Sequence, residues 1–152
     1  MKYTSEIIID LPREEVIRKL DSAENMKHWQ RGLQKYEMLE GTPGQEGAQM
    51  ELHYKMGKRE MALTETIVKN NFPESFHASY TAKNVYNMQK NNFQELDGGK
   101  TKWTSETEFK FSGFGMKMMA FLMPGAFKKQ SLKYLNDFKS FAENGTSVSE
   151  ES

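Results

Sequence analysis

Residues 48–56, AQMELHYKM, alternate without a fault between apolar and polar side chains. Ala48, Met50, Leu52, Tyr54 and Met56 fall on one side of an extended chain, with Gln49, Glu51, His53 and Lys55 on the other. Successive side chains of a strand point to opposite faces, so this segment reads as a strand with one apolar face and one wet face. A sheet made of such strands needs a cover for its apolar side, and the rest of the chain has to provide it.

The same rhythm returns downstream. In residues 103–111, Trp103, Ser105, Thr107, Phe109 and Phe111 alternate with Thr104, Glu106, Glu108 and Lys110. Between the two segments, Gly57-Lys58 makes a tight turn into a strand running to residue 68, and Phe72-Pro73-Glu74 is a break. Phe76, Ala78, Tyr80 and Ala82 then alternate with His77, Ser79 and Thr81, a strand follows over 85–96, and Asp97-Gly98-Gly99-Lys100 closes a hairpin. Upstream, residues 2–11 form a strand around Ile7, Ile8 and Ile9. Pro12 opens the helix PREEVIRKL, and AENMKHW supplies a second short helix before the turn glycines 41, 44 and 47. After Gly113 the period lengthens to about 3.6. Residues 114–123 and 126–143 read as one long helix interrupted at Pro124-Gly125, with Phe127, Leu132, Leu135, Phe138 and Phe141 as its apolar stripe. Residues 1–144 therefore make a single domain, and the polar stretch 145–152 reads as a disordered tail.

Composition narrows the function classes. The chain has 152 residues, 37% apolar and 28% charged, with 21 Lys and Arg against 21 Asp and Glu. That balance removes the bulk electrostatic argument for nucleic acid or for an anionic surface, while leaving room for a local patch. The absence of cysteine excludes disulfides, thiolate metal sites and a cysteine nucleophile. No segment approaches the ~18 apolar residues of a membrane span, so no stable membrane insertion is expected and a cytoplasmic location is the default.

The order strand, two short helices, about six antiparallel strands and one long C-terminal helix resembles the helix-grip fold of the START-like, or SRPBCC, superfamily. Polyketide cyclases, pollen-allergen-like proteins and lipid-transfer START domains belong to it. The local features that carry the resemblance are IDLPREEVIRKL, ENMKHW, YEMLEGTPGQEG, the strand-linking IVKNNFPESF and the hairpin GGKTKWTSETEF. The resemblance implies an α+β domain whose curved antiparallel sheet of about seven strands wraps around the long C-terminal helix and encloses an apolar cavity. It implies binding or transport of a small hydrophobic molecule, such as a lipid, isoprenoid or aromatic metabolite. It leaves two alternatives, a cyclase or aromatase-like enzyme and a protein-interaction module similar to activators of heat-shock chaperones.

Candidate cavity residues follow from the faces. Met50, Leu52 and Tyr54 come from one strand, Leu63 from the next, and Phe76 and Tyr80 from a third. Trp103, Ser105, Thr107 and Phe109 line the last strand, where hydroxyls can orient a ligand or simply bond the backbone. The stretch FGMKMMAFLMP, residues 114–124, holds four of the eleven methionines and is apolar on nearly every side. Such a helix is buried or lies against several surfaces. Met116, Met119 and Met123, with Phe127 beyond the break, fall near one face and read as core plug or cavity lid. Thioether copper(I) binding and a membrane-surface role stand below both readings, since Lys117 is the one charge in the stretch.

Chemistry is sparse. No zinc spacing, nucleophile elbow, phosphate loop or cofactor motif appears, and no metal or cofactor is expected. His53 and His77 fall on wet faces, and His28 reads as a surface or interhelix residue. Glu65 shares its strand's apolar face with Met61, Leu63 and Ile67 and is the one catalytic candidate. Either it points into the cavity, where burial would raise its pKa, or a bulge turns it out. The faces of Asn87 and Asn91 stay open.

Overall fold

The computed structural model describes the backbone of residues 1–151 and the side chains through residue 149. Strand β1 (Lys2–Ile9) leads into α1 (Arg13–Leu20) and the single turn α2 (Met26–Trp29). Six strands follow: β2 (Leu33–Glu40), β3 (Gln49–Met56), β4 (Arg59–Asn71), β5 (Ser75–Ala82), β6 (Val85–Leu96) and β7 (Lys100–Phe111). Two helices, α3 (Phe114–Leu122) and α4 (Pro124–Asn144), complete the domain before a short 3-10 turn at Val148–Glu151.

All seven strands form one antiparallel sheet in the order β1-β7-β6-β5-β4-β3-β2. Consecutive strands from β2 to β7 pair as a meander. β1 then closes on β7, with Lys2 opposite Glu108 and Ile9 opposite Thr101. Register shifts at Ile67/Lys69 in β4 and at Leu33/Lys35 and Met38/Glu40 in β2 bend the sheet, as extra residues in one strand of a pair do. α4 lies across β1 and α2, and its Leu135 and Phe138 pack on Phe93 and Trp103 of the sheet's apolar face.

The principal core sits where α1, α4 and the β6–β7 pair meet, around Ile9, Val16, Phe93, Trp103, Leu135 and Phe138. Phe138 is fully buried, with its ring edge-on to both Trp29 and Trp103 at 5.3 and 5.4 Å. α1 starts directly after Pro12, carries Glu14 and Glu15 in its first turn and Arg18 and Lys19 in its last, and so complements its own dipole at both ends.

Some boundaries differ from the sequence reading. β1 stops at Ile9, because Leu11 turns away and its carbonyl accepts from the Thr101 hydroxyl at 2.8 Å. Pro124 is the first residue of α4, a position that suits a ring with no N–H to donate, so the break in the long helix falls at Met123. The reading of 145–152 as a disordered tail fails at Ser147 and Val148, which are buried. The Ser147 hydroxyl lies 2.8 Å from Nδ1 of His28, whose ring stacks on Phe141. His28 is thus the interhelix residue of the open alternatives. Ser152 lies outside the described residues.

Candidate functional site

The strand registers carry the inner face of the sheet across in rows. One row runs Met50, Glu65, Tyr80, Asn87, Phe109 from β3 to β7, each residue directly opposite the next. The next row runs Ile67, Ala78, Gln89, Thr107, Tyr3, and the one beyond it Phe76, Asn91, Ser105, Ser5. The wall is therefore apolar at its β3 side and polar across β6 and the middle of β7.

Glu65 points inward. It is 8% exposed, and Met50, Leu52, Tyr54 and Leu63 form the apolar cluster beside it. Loss of hydration pushes its pKa up, and a hydrogen bond with the Tyr80 side chain opposes this only in part. The Tyr80 hydroxyl is raised well above its ordinary value, first by burial and then by the Glu65 charge. Tyr54 is raised by burial too, and its hydroxyl donates to the Gln30 side-chain oxygen. Among the described residues no cation pairs with Glu65. A carboxyl in this setting stays protonated to higher pH than a surface one.

The open faces of β6 resolve the same way. Asn87 and Asn91 are both buried on the inner side. Asn91 accepts from Trp103 Nε1 at 2.9 Å and donates to the Phe76 carbonyl at 3.2 Å, while Asn87 donates to the Glu108 carbonyl and accepts from Gln89 at 2.9 Å. Alternation missed them because β6 places Tyr86 and Met88 on the outer side and its amides inside. From α4, Ser131 meets the Tyr3 hydroxyl at 2.6 Å, and Phe127 packs on Phe109 and Phe111 at 5.2 and 5.4 Å.

The expected lining residues divide into three groups. Met50, Leu52, Tyr54, Glu65, Trp103, Ser105 and Thr107 are buried. Leu63, Phe76, Tyr80, Phe109, Met116 and Phe127 are half-buried. Met119 and Met123 are corrected: they are exposed, and no residue of α3 is buried. Phe114, Met118, Phe121 and Leu122 share one side of this helix at i, i+4, i+7 and i+8. That side faces away from the body, with Phe114 78% and Phe121 81% exposed. The core-plug reading of FGMKMMAFLMP is thereby overturned.

Two surface clefts flank this wall. One, of about 330 Å³, opens at the sheet end beside Ala82, Val85 and Phe111, near where α3 begins. The other, of about 490 Å³, lies between α2 and β2 beside His28, Leu33 and Tyr36. On the outer face, Glu37, Glu51 and His53 bring ligand-type atoms within 4.8 Å of one another, with His53 Nε2 2.6 Å from a Glu51 oxygen. No helix among the described residues is long and apolar enough to cross a membrane.

The sequence profile of polyketide cyclase / dehydrase and lipid transport proteins matches residues 1–139. The chain belongs to that family. Its helix-grip fold is shared with solved structures at low identity. The Zhui aromatase/cyclase from Streptomyces sp. R1128 is similar at a TM-score of 0.77 and 15% identity, over 94% of this chain and 93% of that one. A conserved protein from Geobacillus kaustophilus gives 0.78 at 10% identity, over 96% and 97%. Ara h 8.0201 gives 0.73 at 14% identity, over 93% and 97%. No curated protein matches the sequence.

Proposed function

We propose that this family member binds a small, largely apolar molecule between the inner face of the sheet and α4, with the Glu65–Tyr80 pair as its polar anchor. The observation that carries the reading is Glu65 itself, a buried carboxyl beside a tyrosine hydroxyl, with Met50, Leu52 and Leu63 around it and no cation among the described residues to neutralise it. Burying such a group costs stability unless it is paired, so its presence in the interior favours a role in recognition. In its protonated form it offers one O–H donor and retains acceptor capacity, which suits a ligand carbonyl or hydroxyl on an apolar skeleton. Ser5 adds a buried hydroxyl on the same wall that has no hydrogen-bond partner among the described residues.

Native mass spectrometry of freshly purified protein, followed by organic extraction, tests this directly. A stoichiometric apolar adduct that Glu65→Gln and Tyr80→Phe both weaken is the expected result. A bare mass that persists after incubation with mixed lipids and aromatic metabolites would overturn it.

One observation favours a cyclase-like reaction as the second reading. In its protonated form, which burial favours, Glu65 beside Tyr80 is placed to give a proton to a carbonyl oxygen, as a general acid does. Turnover of a poly-β-ketone that disappears in Glu65→Gln while binding survives would select this reading over simple carriage.

A further inference from the structure

We infer that the sheet end from which α3 projects is a docking face for an anionic phospholipid surface. The chain carries no net charge, yet this end of the sheet gathers a set of exposed cations. The meander topology brings there the β3–β4 turn, the β5–β6 turn and the junction of β7 with α3. The exposed cations on them are Lys58 and Arg59 on the first turn, Lys83 on the second and Lys110 at the end of β7. From residue 109 to residue 136 the sequence has five lysines and no carboxylate. Lys117 on α3 and Lys128 and Lys129 in the first turns of α4 are exposed and form no ion pair with a described residue. Glu60 and Glu108 are the nearby acids, and Glu108 is itself held by Lys2 and Lys110 at 3.3 and 3.6 Å.

The apolar part of the argument is α3. Its stripe of Phe114, Met118, Phe121 and Leu122 faces solvent, while Met116 and Ala120 on the other side are half-buried. Two phenylalanines about four-fifths in water, on one helical face, mark a surface that is covered in use. An apolar helical stripe flanked by lysines matches the boundary between lipid headgroups and acyl chains, where rings enter the hydrocarbon and ammonium groups meet phosphate. A soluble phosphate compound would meet the lysines and leave the rings in water. The inference stands apart from the cavity reading, since docking requires only this exposed end.

Vesicle co-sedimentation provides the test, with phosphatidylcholine alone compared with an equal mixture of phosphatidylcholine and phosphatidylserine. Binding is expected to the mixed vesicles, to weaken with added salt, and to be far weaker on phosphatidylcholine alone. Lys128→Glu with Lys129→Glu should lower affinity at least 20-fold, given roughly five-fold for each lysine at an anionic surface. Phe114→Ser with Phe121→Ser, at sites too exposed to matter for folding, should abolish sedimentation while circular dichroism stays unchanged. Equal binding to both vesicle types, or none at low salt, would overturn the inference. So would a salt-insensitive dimer, seen by sedimentation equilibrium and lost in the phenylalanine variant, because a second copy would then be the occupant.

Discussion

The indole of Trp103 donates to the side-chain oxygen of Asn91 at 2.9 Å, and the same amide donates onward to the Phe76 carbonyl at 3.2 Å. One buried asparagine thus joins β5, β6 and β7 on the inner face, and each polar atom of the relay has its partner. Replacing Asn91 with Ala strands the indole N–H in the interior. The expected loss of stability is about 1–3 kcal/mol, the cost of leaving a buried polar group unsatisfied. Urea unfolding followed by Trp fluorescence measures it, and a midpoint equal to that of the parent protein would remove Asn91 from any structural role.

Glu65 makes stability depend on pH in the direction opposite to a salt-bridged acid. Burial raises its pKa in the folded state, whereas the unfolded chain ionises near the ordinary value of about 4.3. Between those two values the folded state binds more protons, so its stability is greatest below the lower one. Stability is lost as pH rises through the window and levels off above the raised value. Glu65→Gln keeps a hydrogen-bonding group without the titration. The variant should therefore gain on the parent as pH rises through that window. Parallel melting curves for the two proteins across that range would mean that Glu65 titrates normally. The same substitution is expected to weaken ligand binding, so greater stability with poorer binding is the joint signature of a buried anchor.

Phe138 anchors α4 against the sheet, and its ring meets both tryptophans edge-on. No solvent reaches it, so truncation leaves a cavity that its close-packed surroundings fill only partly. Phe138→Ala should cost about 3–5 kcal/mol. Near-ultraviolet circular dichroism should lose the signal of the packed indoles together with the thermal midpoint. A loss under 1 kcal/mol, well short of that range, would show that α4 is held elsewhere along its length.

What alternation could and could not reveal follows from the packing. Strands β3 and β7 declare their faces because one side meets the core and the other meets water, which filters Leu52 inward and Glu51 outward. Glu65 broke no rule of spacing, and its burial was one of two outcomes. Side-chain type alone cannot distinguish a buried acid from a bulge that turns it out. β6 was unreadable because its inner positions hold amides that satisfy one another and the neighbouring backbone, so polarity there does not signal solvent. The methionine stretch failed for a different reason. A segment apolar on every side names no cover, and α3 packs chiefly on α4, leaving its richest stripe exposed.

The C-terminal turn is the place where a polar composition concealed a packed contact, and it yields the last prediction. Val148 is 9% exposed and Ser147 5%, against α2 and the imidazole of His28. Val148 packs the turn down, with the Ser147–His28 hydrogen bond beside it. Val148→Ala removes two carbons from that contact and should cost about 1.5 kcal/mol at the usual ~0.8 per buried carbon. Ser147→Ala should cost about 1 kcal/mol through the lost imidazole contact. The two substitutions touch one small patch and share its ordering, so the double variant should lose less than their sum. Urea unfolding of the three proteins measures the coupling. If both single variants match the parent, the turn contributes nothing to the fold, and the domain's stability ends with the last turn of α4.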